Sequence, residues 1–125
     1  MFTIIDYLKF YNNTSLDDVR WNTLDNLVGA ILVYLPIPSF NENKNLKELY
    51  NYVSSSTLVS SNFMATKAIE VLNIIKDSKR YNEIIISDFN NIKNDEVQFG
   101  ACVIKTGKEK IISFKGTDKF IDWLA

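Results

Sequence analysis

The chain has 125 residues, 46% hydrophobic and 23% charged, the size and balance of one soluble globular domain. Its net charge of -1 argues against a general nucleic-acid binder, which carries a basic surplus, and gives no reason to expect an anionic membrane as partner. With no histidine and a single cysteine, Cys102, the chain by itself holds no His-dependent acid–base catalysis, no His metal ligand, no internal disulfide and no multi-Cys metal cluster, so neither a cofactor nor a metal is expected.

The N-terminus has no basic leader before a long apolar core, because Asp6 and Lys9 interrupt residues 1–10. No run reaches the roughly 18 apolar residues of a transmembrane helix; the longest, residues 27–38, is too short. One cysteine and no secretory signal point to a reducing, cytoplasmic setting.

Residues 3–11 read as a short helix capped by Thr3, with Ile4, Ile5, Leu8 and Tyr11 on one face. Residues 12–15 break it, and residues 16–21 read as a turn with two apolar anchors. The clearest helix is 23–35, where Leu24, Leu27, Val28, Ile31, Leu32 and Leu35 keep the helical period. Asn22 is its expected N-cap, and Asp25 is read as a capping carboxylate on the polar side. Pro36 and Pro38 end this helix, with Trp21, Tyr34 and Phe40 expected to pack around the exit.

A loop over 39–45 leads to a short helix at about 46–53, with Leu46, Leu49, Tyr50 and Val53 on one side. The serines at 54–56 and 60–61 read as turns. A long helix at about 62–78 carries Ala65, Ala68, Ile69, Leu72 and Ile75 as its core stripe, with Lys79 and Arg80 as cations at the favourable C-terminal end.

From Tyr81 the period changes to strand. Residues 83–89 form a first strand, 90–95 a polar connection, 97–105 a second strand and 110–114 a third, buried one. Residues 106–109 make a hairpin turn with Gly107 free to take positive φ. Cys102 is expected to be a small core residue. Asp17, Asp18, Asp95 and Glu96 read as solvated charges.

The third strand ends in Phe114-Lys-Gly-Thr-Asp118 and feeds the start of a helix, in which Ile121, Trp123 and Leu124 still present apolar surface at the last residue. An unfinished helix leaves carbonyls and apolar area without partners, so the chain is expected to be the front part of something longer: residues 1–125 as the N-terminal portion of one domain. A strand running through Gly116-Thr117-Asp118 into a helix points backbone N–H groups at one spot, where an acyl-transfer enzyme places half of an oxyanion hole. On local sequence alone the same residues read first as an ordinary strand-to-helix connection capped by Thr117 or Asp118.

Several stretches together resemble the Mbeg1-like (DUF2974) family, a bacterial branch of the α/β-hydrolases related to class 3 lipases. Ile5-Asp-Tyr-Leu8 is similar to its opening segment, and Asn22 through Pro36 looks like its first helix. Arg80-Tyr81, Phe99-Gly-Ala-Cys-Val103 and Ile112-Ser-Phe-Lys-Gly-Thr-Asp118 with Trp123 follow its strand pair and Phe-Arg-Gly-Thr-Asp motif. Lys115 departs from the family's arginine, keeping the charge but losing the planar fork. The resemblance implies an α/β class, of which these helices and first three strands alone look α+β. It also implies that Thr117 is an oxyanion-hole residue, with Phe114, Lys115, Gly116, Asp118 and Trp123 as structural motif positions.

The family's Gly-x-Ser-x-Gly elbow and its later acid and histidine have no counterpart in this sequence. Two functions therefore stand. The chain is the N-terminal fragment of a lipase- or esterase-like serine hydrolase, inactive alone, whose complete form takes an ester or lipid-like substrate. Or it is a stand-alone α+β binding protein. A fragment exposes a sheet edge through which copies could self-associate.

Overall fold

The computed structural model describes residues 4–55, 63–93 and 98–114. Among the described residues four helices come first: α1 (Ile4–Tyr11), α2 (Thr23–Leu32), α3 (Leu46–Ser55) and α4 (Phe63–Ile75). A one-turn 3-10 helix, Tyr81–Glu83, then leads into strands β1 (Ile85–Lys93), β2 (Gln98–Lys105) and β3 (Lys110–Phe114). The strands form an antiparallel sheet in the order β1-β2-β3. Helices packed on one antiparallel sheet make this an α+β arrangement.

The helical periods carry through, with shifted ends. α2 stops at Leu32 rather than 35 because Pro36 disfavours helical geometry at the residue before it. The last turn tightens instead, with Tyr34 N donating to the Ile31 carbonyl at 3.0 Å and Leu35 N to Leu32 at 3.1 Å. Ile31 through Leu35 are all buried, as a segment apolar on every side should be. α3 runs two residues past the expected end and absorbs Ser54 and Ser55. Its start is held by a reciprocal box, in which Glu48 N donates to Asn45 Oδ1 at 2.9 Å and Asn45 N to Glu48 Oε1 at 3.2 Å.

α4 lies at the centre of the helical layer and touches α1, α2 and α3. It buries Met64, Ala65, Ala68, Val71, Leu72 and Ile75. The helix ends at Ile75, so Lys79 and Arg80 do not serve its dipole.

β1 extends to Lys93, through residues expected to form a loop: Asn90 pairs with Ala101 and Asn91 with Gly100. The register breaks between Ser87 and Asn90, so Asp88 and Phe89 stand opposite Cys102 alone. Such a bulge needs one residue out of the strand conformation. Asp88 supplies it at φ 49, a region that aspartate enters more readily than most side chains. Beyond the bulge Phe89 is buried and stacks on Phe40, with ring centroids 5.5 Å apart. The segment carrying Phe40 and Lys44 bonds along the outer edge of β1 through Phe89 and Ile86 at 2.8–2.9 Å.

The inner face of the sheet presents Ile86, Cys102 and Ile104, all buried. β3 contributes Ile111 and Ser113 to that face by register. Its other residues correct the expectation of a buried strand: Ile112 and Phe114 are each 60% exposed. The 106–109 turn forms as expected, but not by positive φ at Gly107, since no described glycine has it. The Thr106 hydroxyl oxygen accepts from Glu109 N at 2.9 Å and Lys108 N at 3.2 Å, closing a four-residue loop without a left-handed residue.

Candidate functional site

The residues that organise this fold sit where the N-terminal helices meet the start of the sheet. Asp25 lies in the first turn of α2. Its Oδ2 accepts from Asn22 N at 2.9 Å, completing a capping box with the Asn22 side chain. The capping role is therefore as expected, but the polar-side location is not, for Asp25 is 1% exposed. A carboxylate buried so deeply must be paired, and the partner comes from 55 residues along the chain. Arg80 Nη2 lies 2.6 Å from Asp25 Oδ2 and Nε lies 3.0 Å from Oδ1. The Tyr81 hydroxyl donates to Oδ1 at 2.6 Å. Together with Asn22 N this fills the roughly four acceptor positions of a carboxylate.

Arg80 is equally spent. Besides its fork on Asp25, Nη2 donates to the Arg20 carbonyl at 3.1 Å. Nη1 donates to the carbonyls of Val19 at 2.6 Å, Thr14 at 3.3 Å and Ser15 at 3.5 Å. The segment between α1 and α2 thus wraps around one guanidinium. Burial works against the Arg80 charge, but the hydrogen bonds and charge of Asp25 outweigh it and hold its pKa above the usual arginine value. Burial first, then the Asp25 carboxylate, drive the Tyr81 phenol well above its ordinary value, so it stays a donor.

Glu83, at the end of the 3-10 helix, grips the same segment from outside. Its carboxylate accepts from Leu16 N at 2.8 Å and from the Ser15 hydroxyl at 3.0 Å. Arg80 N and the Ser78 hydroxyl both donate to the Asn12 carbonyl, at 3.1 and 2.8 Å. With every donor of Arg80 and every acceptor of Asp25 committed, the cluster has no valence left for a substrate or anion. Its chemistry is to fix the frame.

One turn beyond Asp25, Gly29 brings α2 against the sheet. A Cβ there would lie 2.8 Å from both Ile104 Cδ1 and Ser113 Oγ, so only glycine admits this approach without a shift. β3 is seated on α2 through Ser113, and Phe114, which the resemblance makes a structural motif position, points to the open face. Lys115, Gly116, Thr117, Asp118 and Trp123 lie outside the described residues, as does the Thr3 cap.

Among the described residues, surface hollows flank this frame. One, of about 170 Å³, lies between Leu16, Arg20 and Trp21 and the 106–109 turn, and is bridged by Arg20 and Glu109 at 3.2 Å. This corrects the expected place of Trp21: its ring lines this hollow and its indole N–H donates to Asn26 at 2.7 Å, at the opposite end of α2 from Pro36. Another, of about 250 Å³, lies between α3 and residues 37–44, with Phe40, Lys44 and Tyr52 on its walls. Lys44 Nζ sits 5.5 Å from the Phe40 ring centroid, within cation–π reach. Cys102 is buried as expected, and burial pushes its thiol up to about 12, so it is a core residue rather than a nucleophile.

Among the described residues no three His, Cys, Asp or Glu side chains group as a metal site, and no helix is long and apolar enough to cross a membrane. Sequence alone places Arg80 as a helix C-terminal cation and Glu83 in a strand, and does not bring Arg80 and Tyr81 to Asp25 or Glu83 to Ser15 and Leu16. The available signal was a lone Arg-Tyr pair between a finished helix and an isoleucine-rich strand. Comparisons with protein-family models, with characterised proteins and with solved structures find no match to this chain.

Proposed function

We propose that this chain supplies the N-terminal portion of a lipase- or esterase-like serine hydrolase of the Mbeg1-like kind, with Thr117 as one oxyanion-hole donor. The observation that supports this most is the meeting of Asp25 with Arg80 and Tyr81. These residues belong to two separate stretches of sequence that resemble the family. A buried ion pair ties such stretches together, because losing either partner strands a charge. The seating of β3 on α2 at Gly29 adds to this, since Phe114 is three positions ahead of Thr117 in sequence.

In the complete enzyme a serine would attack the carbonyl of an ester or lipid-like substrate, and charge would build on the carbonyl oxygen. A donor at Thr117 would stabilise that oxygen; removing one such donor typically costs about 10²–10³ in kcat. The serine, acid and histidine must come from residues outside this sequence, which has no histidine and no Gly-x-Ser-x-Gly. The 125-residue chain alone is therefore expected to give no acylation by a fluorophosphonate probe.

The test is to read the gene past the codon for Ala125 in all three frames. A Gly-x-Ser-x-Gly followed by Asp and His is the expected result. In that longer polypeptide Thr117→Pro, which removes the backbone donor, should lower kcat by about 10²–10³. A stop codon with unrelated sequence beyond it, or acylation of the short chain, overturns the reading.

The second reading, a binding protein without catalysis, draws on the exposed Ile112 and Phe114 of β3. It expects a defined monomer or dimer with a sharp thermal transition, whereas a hydrolase fragment should melt broadly and aggregate.

A further inference from the structure

We draw no further inference here: the strongest candidate, the open apolar face of the sheet on which Ile112 and Phe114 of β3 each stand 60% exposed, carries nothing because nothing in the structure shows what covers it.

Discussion

Arg80 is 0% exposed and Asp25 1%, and each satisfies the other. Replacing such a pair by apolar groups can be nearly neutral, but removing one partner leaves the other charged in a dry site and costs about 3–5 kcal/mol. Arg80→Met should therefore lower urea stability by about that amount. Adding Asp25→Asn should recover part of it, with a coupling of about 1–3 kcal/mol, because the asparagine oxygen can still accept from Asn22 N. Strictly additive losses would mean that the two residues act separately. Cys102 allows a second test at this scale. Its buried thiol is raised from an ordinary 9.0 to about 12. A raised acid keeps its contribution below the unfolded value and loses it as pH climbs toward the folded one. Wild-type stability should fall between about pH 9 and 12 more steeply than that of Cys102→Ala. A disulfide reagent at pH 8 should label the chain only after urea unfolds it, and prompt labelling of the folded chain would count against the buried position.

Elements meet closely only where side chains leave room, and the α2–β3 contact depends on Gly29. Gly29→Ala gains about 1 kcal/mol of helix propensity but forces Ile104 Cδ1 or Ser113 Oγ to move, and overpacking costs about 1–3 kcal/mol. The expected net is a loss of about 1 kcal/mol in urea stability. Ile104→Val deletes the Cδ1 that a new Cβ would meet, so the double variant should lose less than the sum of the two single changes. Equal losses would show that helix and strand adjust freely. The helix cores were legible in the sequence because 3.6-residue spacing is a local property: Ala65, Ala68, Leu72 and Ile75 could be placed without knowing their neighbours. Strand limits were less so. Asn90 and Asn91 look like loop residues, yet the bulge at Asp88 lets the ladder continue through them. The Asp25–Arg80 pair was illegible for the same reason in reverse. Each residue had a local reading, cap for Asp25 and C-terminal cation for Arg80, the second of which the structure does not keep, and only the fold brings together positions 55 apart.

At the scale of the whole molecule the sheet is asymmetric. The outer edge of β1 is bonded by the segment that carries Phe40 and Lys44, whereas among the described residues β3 pairs only with β2. By register Ile112 lies beside Val103 and Phe114 beside Ala101, an apolar stripe on the face away from the helices. An apolar edge of this kind invites pairing with other chains. Ile112→Lys and Phe114→Lys should therefore shift the 125-residue chain toward smaller species in gel filtration. Each should change its urea stability by no more than about 0.5 kcal/mol, the usual effect at an exposed site. The proposed hydrolase origin gives these substitutions a second use. If the rest of an enzyme packs on β3, both side chains become interior, and a lysine there must bury its charge or push the contact open. Phe114→Lys would then be near neutral in the short chain and cost several kcal/mol in the longer polypeptide, as a lost aromatic core residue does at about 3–5 kcal/mol. Near-neutral behaviour in both would mean that β3 faces solvent in the complete protein, and the binding reading would gain what the hydrolase reading lost.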